Sequence, residues 1–388
     1  MKPEFYFYCY PWDLEDEGLD VSLGRLAGEI GVDGICVVAT ESEVRLIRAR
    51  VFGERRTFAC AAAAHFQPDP VLHRSGRIRP LPAAWMKSKN PLERISKVAE
   101  REGLVVRARV VCCEGAQLVA RFPHAACINA FGDPVDNRLC PAHPDVREYV
   151  GLLVEDLSRN YPVKTIELAE FDFGAGDRIE WYRHASVPSV ALRRMLSTWC
   201  FCSACRQRAG DAGVDSDGIR SAIVASWDAL MNSDTGARST ADGNDPAGLG
   251  VNAYEKLRRD SVTQLVRSAR ARCTARLIVQ VPLLPACRGT DVAGLVDSCD
   301  GIVTPLDDFE GKELAAEDVN GFSGPSRRDA LIRCYPPSAK DGPSLISEVH
   351  RVSQGGFRAI GFEDYGLAPQ ACLDWVRQAI RYARREST

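Results

Sequence analysis

The chain has 388 residues with 49 Lys and Arg against 52 Asp and Glu, and its formal charge of −3 gives no electrostatic case for nucleic acid or an anionic membrane surface as partner. A hydrophobic content of 45%, a charged content of 26% and a mean hydropathy of −0.17 describe a globular protein with ample core and exclude disorder and fibrous folds. Length fits either two or three ordinary domains or one α/β barrel.

At the N-terminus, residues 1–8 lack the apolar core and small-residue cleavage site of a signal peptide, and no apolar run approaches the ~20 residues of a membrane span. Fifteen cysteines, several within apolar runs such as those around Cys36 and Cys112–Cys113, suit buried thiols in a reducing compartment. The expectation is a cytoplasmic protein. A homo-oligomer stays open.

Short β-branched or aromatic runs predict strands over 4–10, 34–40, 104–113, 164–171, 275–283, 301–305, 330–335 and 357–364. Stretches of helical period follow most of them, over 21–30, 91–102, 144–160, 252–273, 343–354 and 369–385. Eight strands alternating with helices predict an α/β fold, a (β/α)8 TIM barrel spanning 1–388. Two connections exceed plain βα loops. Residues 41–90 contain a strand-like run, 57–66, and a Pro-rich stretch; residues 172–250 contain a cysteine cluster, a helix near 219–231 and a polar segment. Both insertions follow strands, so both belong at the C-terminal face, where barrel enzymes build their sites.

The most specific local signal is Cys200-Phe201-Cys202-Ser203-Ala204-Cys205. Three thiols so close suit a structural Zn²⁺, which takes four soft ligands in a tetrahedron; the bland alternative is three small apolar side chains at a helix start. Cys140 is the preferred fourth ligand, with His143 and His184 behind it.

The run from Cys140-Pro141 through Tyr149, the strand carrying Ile166 to Phe171, and then Cys200, Cys202 and Cys205 resembles, over residues 138–206, the zinc-containing β-galactosidases of glycoside hydrolase family forty-two. The resemblance implies a barrel hydrolase acting on glycosidic bonds, one zinc held by the four cysteines, and Glu170 as acid/base. It departs from the family in two places. Ala169 stands where the family has Asn, and 331–336 offers no carboxylate for the family's nucleophile.

Glycoside hydrolysis needs a protonated carboxyl and a second carboxylate. Acids near predicted strand ends are Asp13, Glu41, Glu114, Glu167, Glu170, Asp172, Asp307, Asp308, Glu363 and Asp364. Alternation puts Glu170 and Asp172 on one face and Glu167 on the other. Glu170 is the expected general acid, its pKa raised by Phe171 and Phe173, and Glu363 is preferred over Asp172 as partner. Tyr8, Tyr10 and Trp12 offer a sugar-stacking platform or line the barrel interior. Trp181 and His184 are expected in the pocket wall. His65 is a hydroxyl ligand or a core histidine, and Arg109, on one strand face with Arg107, binds a carboxylate or pairs with a rim acid. A small carbohydrate is therefore the expected substrate. The alternatives are a non-hydrolytic carbohydrate-binding barrel and a sugar-acid lyase or isomerase.

Overall fold

A computed structural model describes residues 2–50, 56–87, 89–174, 190–232, 250–281, 288–306 and 327–386. All eight predicted strands form: β1 (Glu4–Cys9), β2 (Gly34–Glu41), β3 (Val105–Val111), β4 (Thr165–Ala169), β5 (Arg276–Gln280), β6 (Gly301–Pro305), β7 (Arg327–Arg333) and β8 (Ala359–Glu363). Each pairs in parallel with its neighbours in sequence, and β1 pairs with both β2 and β8, so the sheet closes as a TIM barrel. The two-residue strand Ala63–Ala64 adds antiparallel to the end of β2.

Strands covered on both faces read as continuous apolar runs, which is why β2 is buried along nearly its whole length. Outward side chains such as Phe5, Phe7, Ile35, Val37, Val106 and Ala108 join the helix-facing core. Inward, Tyr8, Cys36, Ile278, Val303 and Leu331 fill the barrel. Two tyrosine rings need glycine opposite them: a Cβ on Gly34 or Gly361 would lie 2.5 Å from a ring carbon of Tyr6 or Tyr8 respectively. Lower in the barrel, Arg107 donates to Asp329 at 2.7 Å and lies 3.5 Å above the Tyr6 ring centroid, so its buried charge is paired.

The helices match the predicted periods closely. Pro144–Asn160 starts with Pro at its first turn and His143 as N-cap, accepting from Asp145 N at 3.2 Å. Gly342–Gln354 opens on an Asp341–Ser344 capping box, and Gln370–Glu386 ends basic. The predicted helix over 21–30 is instead the α-helix Leu19–Gly24 continued by wider π turns over Arg25–Ile30. The strand-like run 57–66 divides: Thr57–Cys60 forms a hairpin with Val44–Ile47, while Ala63–Ala64 joins the barrel. A second hairpin, Ala126–Ile128 with Pro134–Leu139, follows β3. Among the described residues every cysteine is a free thiol, and no helix is long and apolar enough to cross a membrane.

Candidate functional site

The C-terminal ends of the strands carry a ring of polar side chains centred on Arg109 of β3. Its guanidinium donates to Gln280 Oε1 at 3.1 Å and Glu41 Oε2 at 3.4 Å, and lies 3.9 Å from Glu167 Oε1. Burial opposes its charge, yet Glu41 and Glu167 outweigh burial and hold it protonated. Tyr10 reaches Glu41 at 3.5 Å. Beneath this ring Tyr8 donates to Glu167 Oε2 at 2.5 Å and closes the floor. Burial raises the pKa of Glu167, with Arg109 and Tyr8 opposing.

β8 delivers the acid expected from the sequence, Glu363, half-buried and 3.9 Å from Arg333 Nε. The next residue, Asp364, is the more distinctive group. Burial first, then the charges of Glu363, Glu41 and Asp13, push its pKa well up, against the opposing pull of Arg109. A carboxyl crowded by other carboxylates holds its proton more tightly, because two like charges in one low-dielectric site cannot both ionise cheaply. Asp364 stands among the rim acids in the sequence, but nothing local separates it from Glu363.

Glu170, one residue past β4, contradicts the expected pKa. Arg138 donates to Glu170 Oε2 through both terminal nitrogens at 3.1 Å, and Arg288 pairs with the same oxygen. Burial alone would raise the pKa; Arg288 and then Arg138 overcome it and hold the carboxyl well below the usual carboxylate range. Phe171 and Phe173, expected to supply apolar surroundings, pack into the core instead. Asp172 is buried beside Glu170 and takes Arg288 Nε at 2.9 and 2.8 Å, the backbone of Gly174 at 2.9 Å and Thr290 Oγ1 at 3.4 Å. It anchors Arg288, and its oxygens are occupied. Gly174, at φ +84°, has no Cβ to collide with Arg138, which passes 2.8 Å from where one would stand. Glu170 itself adopts φ +49°, a left-handed conformation uncommon for a non-glycine residue.

The aromatic residues after β1 are not an open stacking surface. Trp12 is buried, stacked on Tyr10 at 4.4 Å and on Phe58 of the first hairpin at 4.3 Å, with His65 and Trp85 meeting it edge-on at 5.1 and 6.0 Å. Tyr10, Phe58 and Trp85 are partly exposed, whereas Trp12 and His65 are buried. His65 donates through Nδ1 to Val38 O at 3.1 Å, and burial lowers its pKa to about 4. Trp12 and His65 therefore support the wall from behind. Trp181 and His184 lie outside the described residues.

Beyond β4, the Sγ atoms of Cys140, Cys200, Cys202 and Cys205 lie within 4.8 Å of one another, all buried. Cys140 follows the second hairpin, and Cys202 caps the helix Ser203–Asp211. Four buried thiols at this spacing can hold a metal ion. Cys127, on the hairpin strand Ala126–Ile128, is buried near Cys140 and Cys200, a fifth thiol that spacing along the chain does not reveal.

No protein-family model matches the chain, and no curated protein matches it. Solved structures do. An α-L-fucosidase isoenzyme 2 from Paenibacillus thiaminolyticus superposes with a TM-score of 0.58 at 11% identity, covering 100% of this chain and 50% of that one. The β-galactosidase of the psychrophilic Marinomonas ef1 gives 0.57 at 11%, covering 97% and 59%. The polyextremophilic β-galactosidase of the Antarctic haloarchaeon Halorubrum lacusprofundi gives 0.54 at 12%, covering 98% and 58%. The chain spans about half to three fifths of these structures, and at such identity the likeness is one of fold.

Proposed function

We propose that the chain is a glycoside hydrolase acting on a short saccharide at the C-terminal mouth of its barrel. Asp364 protonates the leaving oxygen, and Glu170 is the carboxylate that stays ionised across the mouth as nucleophile or base. One observation carries this reading: two rim carboxyls stand in opposite electrostatic settings, Asp364 pushed up by burial and neighbouring carboxylates, Glu170 held down against burial by two arginines. β4 and β8 lie four places apart in the ring of eight, so groups at their ends approach a bound ring from opposite sides. That is what an acid and its partner require. Tyr10, Glu41, Arg109, Gln280 and Glu363 supply donors and acceptors for sugar hydroxyls between them. The saccharide class is taken from the solved barrels described above, whose names are those of glycosidases.

The two roles separate by leaving group. On an unactivated glycoside, Asp364→Asn should lower kcat by ~100-fold or more, as expected on loss of general acid catalysis. On nitrophenyl glycosides, whose leaving group needs no proton, the same variant should retain most of its turnover. Glu170→Gln should lose turnover on both. The reverse pattern would return the acid role to Glu170.

We also assign the four-thiol site to zinc. The donor set supports it: four soft ligands, enclosed, with no open position for water, suit a structural Zn²⁺ at ~2.3 Å from each sulfur. Such an ion would stabilise the fold and take no part in bond cleavage.

A further inference from the structure

A second concave surface lies outside the mouth. A groove of about 730 Å³ is lined by Arg74, Arg77, Arg79 and Arg121 together with Leu81 and Phe122. Its walls come from the connections that leave the C-terminal ends of β2 and β3, the same end of the barrel as the mouth. Four guanidinium groups share this space in a chain whose net charge is −3. Arg77 pairs with Asp145 at 3.3 Å; among the described residues, Arg74, Arg79 and Arg121 have neither an ion pair nor a side-chain hydrogen bond.

The arrangement is fixed from below. Along 73–80 buried and exposed residues interleave: His73, Gly76, Ile78 and Pro80 are buried, whereas Arg74, Arg77 and Arg79 are exposed. His73 Nε2 meets the buried Asp156 at 2.9 Å, which also accepts from Asp69 N at 2.9 Å. The following stretch is held to the barrel edge by Ala64 N to Leu81 O at 2.7 Å and Ala83 N to Ala64 O at 2.8 Å. The arginines thus project from an anchored backbone, which lowers the ordering cost of binding. A concave surface with an excess of positive charge concentrates its field, and the guanidinium fork matches the paired oxygens of a sulfate or carboxylate. Half-buried Leu81 and Phe122 add apolar area of the kind that packs against a sugar ring.

We propose that this groove binds an anionic glycan, through sulfate esters or uronic-acid carboxylates on its sugars, and holds the polymer while the mouth acts on its chain. The glycan class rests on the glycosidase reading; the anion site rests on the groove alone.

Affinity electrophoresis and calorimetry of the full chain at low salt test it, with chondroitin sulfate oligosaccharides, oligogalacturonate, a neutral oligosaccharide and single-stranded DNA as probes. Retardation by one or both anionic glycans, lost with rising salt and absent with the neutral sugar, is expected; the two arms tell sulfate from carboxylate. The triple variant Arg74→Gln/Arg79→Gln/Arg121→Gln should weaken that binding by roughly tenfold or more. A control triple removing equal charge elsewhere, Arg45→Gln/Arg101→Gln/Arg159→Gln, should keep it. No binding of either anionic glycan, or equal loss in both triples, would overturn the proposal. Tighter binding of DNA than of either glycan would overturn it in favour of a nucleic-acid surface. Because binding is read without turnover, absent hydrolysis with intact glycan binding sinks only the glycosidase reading, and the converse sinks only the groove.

Discussion

His65 is a titratable ring enclosed by Trp12 and Trp85, with burial opposing its charge and the Val38 carbonyl weakly favouring it. In the unfolded chain it titrates near 6.5 and in the fold at about 4. Between those values the unfolded chain binds a proton that the folded chain refuses, so stability is complete above pH 6.5 and falls as pH drops toward 4. The loss amounts to ~3 kcal/mol at 1.36 kcal/mol per unit. Urea denaturation of the wild type and His65→Gln across this range should show the stability gap between them narrowing by about that amount. A gap independent of pH would mean the imidazole is not shielded. Other single positions were less legible. The end of β4 marks Glu170 plainly, but its two arginines stand 32 and 118 residues away, so the sequence around it predicts the wrong direction for its pKa. Asp364 is set by burial and by the adjacent Glu363, and then by Arg109, Glu41 and Asp13 from elsewhere in the chain, which the local sequence does not announce.

At the scale of elements, the four thiols join the turn after the second hairpin to the helix Ser203–Asp211. That helix packs against Ser216–Met231 and Val251–Arg272. Met195, Leu196, Trp199, Ile219, Ile223 and Tyr254 form a core of their own here, apart from the barrel's, and Tyr254 ties to the cluster through Cys200 O at 2.5 Å. A small core of this kind depends on its staple. Purified protein should carry about one zinc per chain by elemental analysis. Chelation or Cys202→Ser should speed hydrogen exchange across 190–232 while the barrel strands stay protected. Uniform loss of protection would make the site part of the barrel's own stability. The three clustered cysteines were visible because a tight C-x-C-x-x-C spacing is rare without a ligand. Cys127 was hidden because hairpin pairing, not chain proximity, brings it in.

For the molecule as a whole, eight strands were legible because each barrel strand is a short apolar run buried on both sides and followed by a helix of clear period. Of the two hairpins only Thr57–Cys60 was marked, within the strand-like run over 57–66; its partner Val44–Ile47 and the second hairpin were not, since short, half-exposed strands of mixed composition carry little pattern. Closure depends on β8 meeting β1. Truncation after Gln354 removes β8 and leaves the edges of β1 and β7 unpaired, so the shortened chain should aggregate, as light scattering and size-exclusion chromatography would reveal. A monodisperse truncated chain with native circular dichroism would show that the ring does not need its last strand.

The thiol cluster also has a mechanical meaning. Cys140 and Cys205 are 65 residues apart, and between them the chain carries β4 and Glu170. With a metal clasping both ends, a pulling force applied at the termini bypasses this loop. At ~3.5 Å per residue, stretching the loaded protein should fall short of its full extension by about 220 Å until the clasp ruptures. Under load, the strand that bears Glu170 would be the last part of the barrel to be drawn out.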